Sequence, residues 1–306
     1  MRLERATVSF GRHESFPLRF GWIAKGLNAL SDDPRIFNRE DATVVLGVGK
    51  NMVASIRHWL QATGVAAPVD ASRTLAPTQI GQIVFGKGGD PYLEDEATIW
   101  LLHWLLATNP AGATAIYWFF NHFHKPTFTS AEVATGLSDF AKHDIGPRVA
   151  QSTLKGDAQL VLRMYSRTQA GTRLTLEDAL DSPLAALNLQ ERLDARNWRA
   201  VPMDRTDLPL SIFAYAVVQL FDHTGAPHLA VEDLMYSDKN HCAPGAVFRM
   251  TEDGLITKLE ALCDAYPREL QLNRTAGVFQ LYKLGTMDPL QILRDRYARP
   301  SRRLAA

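Results

Sequence analysis

The chain has little of what marks several common classes of protein. Its 306 residues include only two cysteines, Cys242 and Cys263, with no CxxC pair, so we expect neither a disulfide framework nor a cysteine-ligated zinc site. Its apolar stretches, residues 98–107 and 111–120, fall short of the roughly 18 residues that span a bilayer. The N-terminus lacks the apolar core of a signal peptide. We therefore expect a cytoplasmic protein that does not enter membranes.

The chain also lacks common catalytic sequence motifs, and neither positive nor negative residues are in excess. Residues 47–52 come closest to a phosphate-binding Walker loop but lack its glycine spacing and its Ser/Thr. No GxSxG nucleophile elbow occurs. The net charge is zero, although residues 1–60 hold nine Lys/Arg against six Asp/Glu and residues 268–306 hold eight against three. This distribution excludes a chain that is basic all over and permits local contact with nucleic acid.

The length and the hydrophobic pattern predict a folded protein of several units. A hydrophobic fraction of 46% over 306 residues is enough for two or three compact units. We predict an N-terminal winged-helix-like, DNA-binding unit over residues 1–90, a central helical unit over 91–200 and a C-terminal winged-helix-like unit with a basic tail over 201–306. The fold class is then mainly α with small β wings, in which tandem winged-helix-like (helix-turn-helix) units pack around a buried helical core.

The first unit carries the order of elements behind this prediction. Helices are predicted at residues 20–30, 40–46 and 50–63, and an extended segment follows that includes residues 80–85. Three helices before a small β element is the winged-helix order. In the third unit, a predicted hairpin near residues 270–284 follows two helices in the same way.

The predicted helix at residues 50–63 is the most informative functional feature. At roughly 100° per residue its apolar residues share one side, namely Met52, Val53, Ile56, Trp59 and Leu60. The polar residues proposed to contact DNA share the other side: Lys50, Asn51, Ser55, Arg57 and His58. Such a helix suits phosphates and base edges, although an ordinary amphipathic helix is the alternative. Lys155, in an outward polar row of a later helix, is predicted to contact DNA similarly.

Segment 10–19 is the densest polar cluster outside a regular helix. His13 offers a general base or metal ligand, Glu14 a carboxylate, and Arg12 and Arg19 guanidinium groups for a phosphate. Adjacent side chains point apart on an extended strand, so His13 and Glu14 act on one phosphate only if the chain bends there. We predict these two as catalytic residues. The alternative is that both hydrogen-bond the backbone and fix the entry into the first helix.

Two other groups offer side chains that bind metals. Residues 90–96 contain four carboxylates, which either hold Mg²⁺ together with a phosphate or form the acidic first turn of a helix at 94–107. His122 and His124 form a His-x-His pair. Some DNA-nicking enzymes use that spacing on a strand, whereas here the pair closes an aromatic helix.

Five stretches carry a resemblance to a known family. They are FGRHESFPLRFGW (10–22), EDATVVLGVGKNMVASIRHW (40–59), DPYLEDEATIWLLHWLLATNP (90–110), STLKGDAQLVLRMY (152–165) and ELQLNRTAGVFQLYKLGTMDPLQIL (269–293). Together they span nearly the whole chain, and the block that begins at Gly47 is the most specific. They resemble the SspB family, the DNA-nicking component of bacterial single-strand DNA phosphorothioation defence systems.

The resemblance implies an endonuclease that nicks one strand of double-stranded DNA so that sulfur can replace a backbone oxygen. It implies Mg²⁺ as the cofactor, and a cysteine desulfurase, an ATPase and a sulfotransfer enzyme as partners in anti-phage defence. It assigns no catalytic residue, so His13 and Glu14 rest on residue chemistry alone. The alternative function is a non-enzymatic winged-helix DNA-binding regulator or scaffold that recruits modification partners.

Overall fold

The computed structural model describes residue 3 and residues 7–69, 74–146, 149–167, 182–275 and 278–298. Across these ranges the chain is mainly helical, with short strands in small antiparallel sheets. This confirms the predicted class, mainly α with small β elements. None of the helices within these ranges has the length and apolar character to cross a membrane.

The N-terminal part forms three helices and a hairpin in the predicted order. They are α1 (Trp22–Asp32), α2 (Ala42–Leu46), α3 (Lys50–Ala62), β1 (Ala66–Pro68) and β2 (Leu75–Pro77), and the two strands pair antiparallel. Gly47 follows α2 with a φ of +61°, a left-handed conformation that glycine adopts without steric cost. This residue lets the chain turn sharply from α2 into α3.

The prediction that residues 80–85 are extended is wrong, because they belong to helix α4 (Gln79–Phe85). Thr78 caps this helix, its hydroxyl accepting a hydrogen bond from the Gly81 N–H at 3.2 Å. A Cβ on Gly81 would lie 2.1 Å from the carbonyl oxygen of Val65. The glycine therefore permits close packing of a helix on the preceding backbone, and it does not mark a turn.

The central part contains two helices that are buried on nearly every side, the first two of its elements. Its elements are α5 (Glu96–Ala107), α6 (Thr114–Asn121), β3 (Thr127–Thr129), α7 (Ser130–Phe140), a π-helical turn (Ala141–Ile145), α8 (Gln151–Met164), a 3-10 turn (Pro183–Leu187), β4 (Glu191–Arg192) and β5 (Asn197–Arg199). Strand β5 pairs with β3 and β4, a small sheet that the sequence pattern did not predict. In α5 only Glu96 is exposed and Leu105 half-buried, as its all-round apolar sequence predicts.

The C-terminal part ends in the predicted hairpin and one further helix. Its elements are α9 (Leu210–Thr224), β6 (His228–Ala230), α10 (Val231–Met235), α11 (Pro244–Val247), α12 (Glu252–Ala265), β7 (Leu270–Thr275), β8 (Val278–Lys283) and α13 (Pro289–Ala298). Strand β8 lies between β6 and β7 in an antiparallel sheet. The predicted basic tail beyond residue 298 lies outside the described residues.

A single cluster of buried apolar side chains includes residues from the N-terminal, central and C-terminal parts. Helix α13 contacts both α4 and α9. Its Tyr297 hydroxyl lies 3.0 Å from the Thr98 hydroxyl on α5, and its Arg296 forms an ion pair with Asp95. The last described helix is therefore held against residues from the first hundred of the chain.

Candidate nucleic-acid interface and the His13 cluster

Helix α3 presents its first turn to solvent. Lys50 and Asn51 are exposed, and no side chain caps the helix N-terminus, where Gly49 is the capping residue. Arg57 is half-buried, and its Nη1 donates to the Asn38 side-chain oxygen at 3.0 Å. The start of α3 therefore presents positive charge to solvent. That this surface contacts DNA stays a prediction.

The predicted outward position of Ser55 is wrong. Ser55 is fully buried, and its hydroxyl lies 3.5 Å from the Phe16 carbonyl oxygen. It is four residues before Trp59, hence only about 40° from it around the helix. Segment 10–19 covers this side of α3, so Ser55 cannot reach DNA.

Trp59 is a core residue, as the apolar face of α3 predicts. It is 1% exposed, and its indole N–H donates to the Phe16 carbonyl oxygen at 3.1 Å. The buried ring and this hydrogen bond hold segment 10–19 against α3. Trp59 is therefore not available to stack on bases.

His58 is half-buried and does not lie on the outward face of α3. Its ring centroid is 4.8 Å from that of Trp59 and 6.2 Å from that of His13. Burial, together with the nearby His13 and Arg12, lowers the pKa of His58 to about 3. The imidazole is neutral at pH 7, so any contact of His58 with a phosphate would be a hydrogen bond without charge.

Segment 10–19 bends sharply around His13. Gly11, Glu14 and Ser15 have φ values of +69°, +50° and +65°, and the Phe16 N–H donates to the His13 carbonyl oxygen at 2.9 Å. The expected bend is present, yet it separates the two predicted catalytic side chains, since His13 is buried and Glu14 is exposed. Their catalytic role stays a prediction.

The buried partner of His13 is Asp157 on α8. His13 Nε2 lies 2.8 Å from Asp157 Oδ1, and the Gly11 N–H approaches both carboxylate oxygens at 3.1 Å. The Ser15 N–H donates to His13 Nδ1 at 3.1 Å, which assigns the ring proton to Nε2. Both ring nitrogens therefore have partners. We call His13, Asp157 and the Gly11 and Ser15 amides the His13 cluster.

Sequence reasoning missed Asp157, although its signal was present. Asp157 lies between Leu154 and Val161 on the apolar face of α8 and is only 2% exposed. A carboxylate is seldom buried without a partner. An acidic residue on that buried face needs a hydrogen-bond donor from another part of the chain, and only the fold identifies this donor as His13.

The remaining predicted DNA contacts surround the same segment. Arg12 is exposed, and the Arg19 guanidinium lies over the Phe16 and Trp22 rings at 5.7 and 5.3 Å. Lys155 is exposed on α8, two residues from Asp157. Their contact with DNA stays a prediction.

The alternative carboxylate cluster at residues 90–96 serves the start of α5. Asp90 is buried, and its two oxygens accept the Glu94 and Asp95 N–H groups at 2.8 and 3.0 Å. Asp95 caps α5 through the Ala97 N–H. Of the His-x-His pair, His122 has its ring 3.1 Å from the Tyr117 hydroxyl. Within the described ranges, no group of three or more His, Cys, Asp or Glu side chains could hold a metal ion, so those residues form no preformed metal cage.

The protein is mainly helical, and its helices α2 and α3 are joined by a short turn at Gly47. The start of α3 is exposed to solvent. The chain belongs to the DUF4007 family of proteins of unknown function, whose model matches residues 10–297. Two solved structures are similar at 28% identity and a TM-score of 0.81. One is described as "SspB crystal structure", with 98% of this chain and 92% of that chain covered. The other is described as "Magnesium ion-bound SspB crystal structure", with 97% and 90% covered. A comparison with curated proteins gives no match.

Proposed function

We propose that this protein nicks one strand of double-stranded DNA in a bacterial phosphorothioation system, where the break admits sulfur into the backbone. The observation that carries the proposal is the likeness to SspB along nearly the whole of both chains. In this proposal the cysteine desulfurase, ATPase and sulfotransfer enzyme of such a system are its partners.

DNA would be held by the start of α3 and the neighbouring turn. The exposed Lys50 and Asn51 stand beside a helix N-terminus that no side chain caps, and free backbone N–H groups at such an end favour a phosphate. Arg12 and Lys155 would add positive charge from the bend and from α8. Each cation that neutralises a phosphate makes binding more sensitive to salt.

For cleavage, we propose Glu14 as the carboxylate that would hold a metal ion beside the scissile phosphate, and His13 as the group that orients the attacking water and takes its proton. His13 Nδ1 becomes available only if the Ser15 N–H releases it. Asp157 would then stabilise the imidazolium through Nε2. The water oxygen bonds to phosphorus as the phosphorus–oxygen bond of the leaving strand breaks, and the leaving oxygen takes up a proton from solvent.

Mg²⁺ belongs to the proposal through the SspB likeness alone. Mg²⁺ in proteins commonly keeps several waters and binds through one or two carboxylates together with substrate phosphates. That mode needs no cage of three protein ligands and is compatible with the exposed Glu14. When bound, the ion would neutralise charge on the phosphate oxygens.

The test is conversion of supercoiled plasmid into open circles by the full chain. We expect nicking with Mg²⁺ and none with a chelator. His13→Ala and Glu14→Gln should lose nicking and keep their DNA affinity, while Glu260→Gln, an exposed carboxylate on α12, should nick normally. If both the His13 and the Glu14 variant nick plasmid fully, the proposed roles of these two residues are refuted. If the parent protein does not nick even with the partner proteins present, the proposed nicking activity is refuted.

A second candidate function is a non-enzymatic DNA-binding scaffold or regulator. It is favoured by the hydrogen bonds that occupy both His13 ring nitrogens, which leave neither nitrogen available as a base in this structure. A scaffold would bind DNA in a salt-dependent way and retain the sulfotransfer enzyme on DNA, but would leave plasmid supercoiled under every metal condition.

A further inference from the structure

The elements of the central part follow one another in the same order as those of the C-terminal part. In the central part, strand β3 leads into α7 and α8, and the hairpin of β4 and β5 follows. In the C-terminal part, strand β6 leads into α10, α11 and α12, and the hairpin of β7 and β8 follows. In both sheets the first strand pairs with the last one, which gives the orders β3-β5-β4 and β6-β8-β7. Helices α8 and α12 therefore occupy equivalent positions.

The exposed face of α8 carries positive charge and no negative charge. Its exposed residues are Gln151, Ser152, Lys155, Gln159 and Arg163. Four of them are spaced four positions apart, so they lie along one side of the helix over about 18 Å. The single acid of α8, Asp157, is buried in the His13 cluster. This face therefore offers phosphates and base edges only cations and neutral polar groups.

The equivalent face of α12 has the opposite charge. Its exposed residues are Glu252, Asp253, Thr257, Glu260, Ala261, Asp264 and Ala265. The single cation of this helix, Lys258, is half-buried, and its Nζ donates to the Leu208 carbonyl oxygen at 2.6 Å. The carboxylates of this face would repel a phosphate backbone. The same order of elements thus occurs once with a basic helix and once with an acidic one, so the charge of α8 is not a requirement of the fold.

The hairpin of β4 and β5 is fixed to the end of α8. Gln190, which directly precedes β4, is 5% exposed, and its Nε2 donates to the Leu162 carbonyl oxygen at 2.9 Å. In the turn between the two strands, the Asp194 carboxylate accepts the N–H groups of Arg196 and Asn197 at 2.7 and 2.9 Å. Arg196 is exposed at this turn. The hairpin is therefore held at the C-terminal end of α8, and its turn presents an arginine to solvent.

Helix α8 also contacts the bend that carries His13. Arg163 Nη2 donates to the Ser15 carbonyl oxygen at 2.7 Å, and on α3 the Trp59 indole donates to the Phe16 carbonyl oxygen. The bend therefore lies between α3 and α8, and Glu14 is exposed within it. A nucleic acid that binds along α8 and at the start of α3 would be held on both sides of this bend.

We propose that α8 and the β4–β5 hairpin form a second contact site for double-stranded DNA, separate from the start of α3. A helix about 10–12 Å wide fits the major groove of about 12 Å. Gln159 would face base edges there, Lys155 a phosphate, and Arg196 the neighbouring backbone. A duplex is the ligand because the single aromatic residue of the hairpin, Trp198, is half-buried beneath Arg192, so the hairpin offers no exposed ring for the stacking that single strands use. The site rests on the proposed function for its ligand, DNA, and does not require nicking.

The experiment measures binding of a fluorescent DNA duplex to the full chain over a series of salt concentrations, with a chelator present so that the DNA stays intact. Lys155→Ala and Arg196→Ala should each weaken binding, and each should lower the salt slope by about one, because each removes one phosphate contact. Lys87→Ala and Arg268→Ala are the matched controls. They replace exposed cations of the same two types, after α4 and after α12, and should bind like the parent. Circular dichroism checks that each variant is folded.

Parallel measurements separate this site from the proposed function. If Lys50→Ala weakens duplex binding while Lys155→Ala and Arg196→Ala bind like the parent, the second site is refuted and the contact at α3 stands. Unchanged binding by Arg196→Ala alone also overturns the proposal, because the hairpin is half of the site. If the parent binds no duplex at any salt concentration, both the site and the proposed function fail. An effect of the two variants on the corresponding single strand and not on the duplex would overturn the duplex as the ligand.

Discussion

Helix α6 has a different buried polar group at each end. At its start, the chain that leads into the His13 cluster is held by the Ser9 N–H, which donates to the Thr114 hydroxyl at 2.8 Å. At its end, Arg249 packs on Phe119 and Phe120. In the His13 cluster the polar atoms bond one another, whereas the buried Arg249 keeps its Nε without a hydrogen-bond partner. A cluster whose polar atoms bond one another stabilises the fold, while a buried donor without an acceptor costs free energy.

The largest expected effect concerns Trp59, whose indole anchors the segment that carries His13. Trp59→Ala should lower the free energy of unfolding by roughly 3–5 kcal/mol, because it leaves a large cavity and removes a hydrogen bond. Urea denaturation measures this loss. Trp59→Phe fills most of the cavity and should cost clearly less. An alanine variant with unchanged stability would show that segment 10–19 is not anchored here.

Loss of the acid in the His13 cluster should have the next largest effect. Asp157→Ala leaves the His13 Nε2–H and the Gly11 N–H without acceptors, which should cost roughly 1–3 kcal/mol. Asp157→Asn keeps one oxygen acceptor and should cost less. A double-mutant cycle with His13→Ala measures the coupling between the two side chains, and a coupling of zero would contradict the pairing.

Acid should destabilise both regions through one histidine each. The pKa values of His58 and His103 are lowered to about 3 by burial, below the unfolded value of about 6.5. The unfolded chain therefore binds more protons between these values, and stability falls as pH drops from about 6.5 towards 3. At pH 5.5 each histidine should account for roughly 1 kcal/mol. His58→Phe should flatten the pH profile measured by thermal unfolding, and a profile identical to that of the parent would contradict the lowered pKa.

Buried Arg249 should respond in the opposite sense to the His13 cluster. Arg249→Met should leave stability within about 1 kcal/mol of the parent or raise it, because replacing buried charge by a well-packed apolar side chain is often neutral or stabilising. Urea denaturation of the parent and the variant measures the difference. A loss as large as that of Asp157→Ala would remove the distinction between the two regions.

The smallest effect on stability is expected on the exposed face of α3. The double variant Lys50→Ala with Arg57→Ala should unfold within about 0.5 kcal/mol of the parent. Its DNA binding should weaken, and the salt slope should fall by about two if each cation meets a phosphate. Circular dichroism checks the fold. A folded double variant with unaltered affinity and slope would rule out this face as a DNA contact.

Local signals in the sequence predicted most helices, because caps and periodicity are short-range properties. Thr129 with Glu132 forms a capping box at the start of α7, and Thr251 caps α12, so both helices begin at residue types that favour a helix start. Helix α4 escaped prediction because Gly81 normally indicates a turn, while its real constraint is the backbone of Val65.

The candidate site was predictable only in part, because burial depends on contacts between distant residues. Ser55 borders the apolar face of α3, and the chain from residue 10 to 19 that covers it is too far away in sequence for a local pattern to show the contact. The same holds for Asp157, which pairs with a residue 144 positions away.

The contact between Gly11 and Asp157 has a consequence for how the chain matures. Their hydrogen bonds join residues 146 positions apart, so they cannot form on the ribosome until α8 has been synthesised. Contacts of such sequence separation also form slowly, since a long loop must close before any contact rewards it. The contacts of Phe16 with α3 need only the first 60 residues, whereas the Gly11 and His13 contacts with Asp157 need α8. The residues around His13 are thus among the earliest made and cannot complete their native hydrogen bonds before more than half of the chain exists.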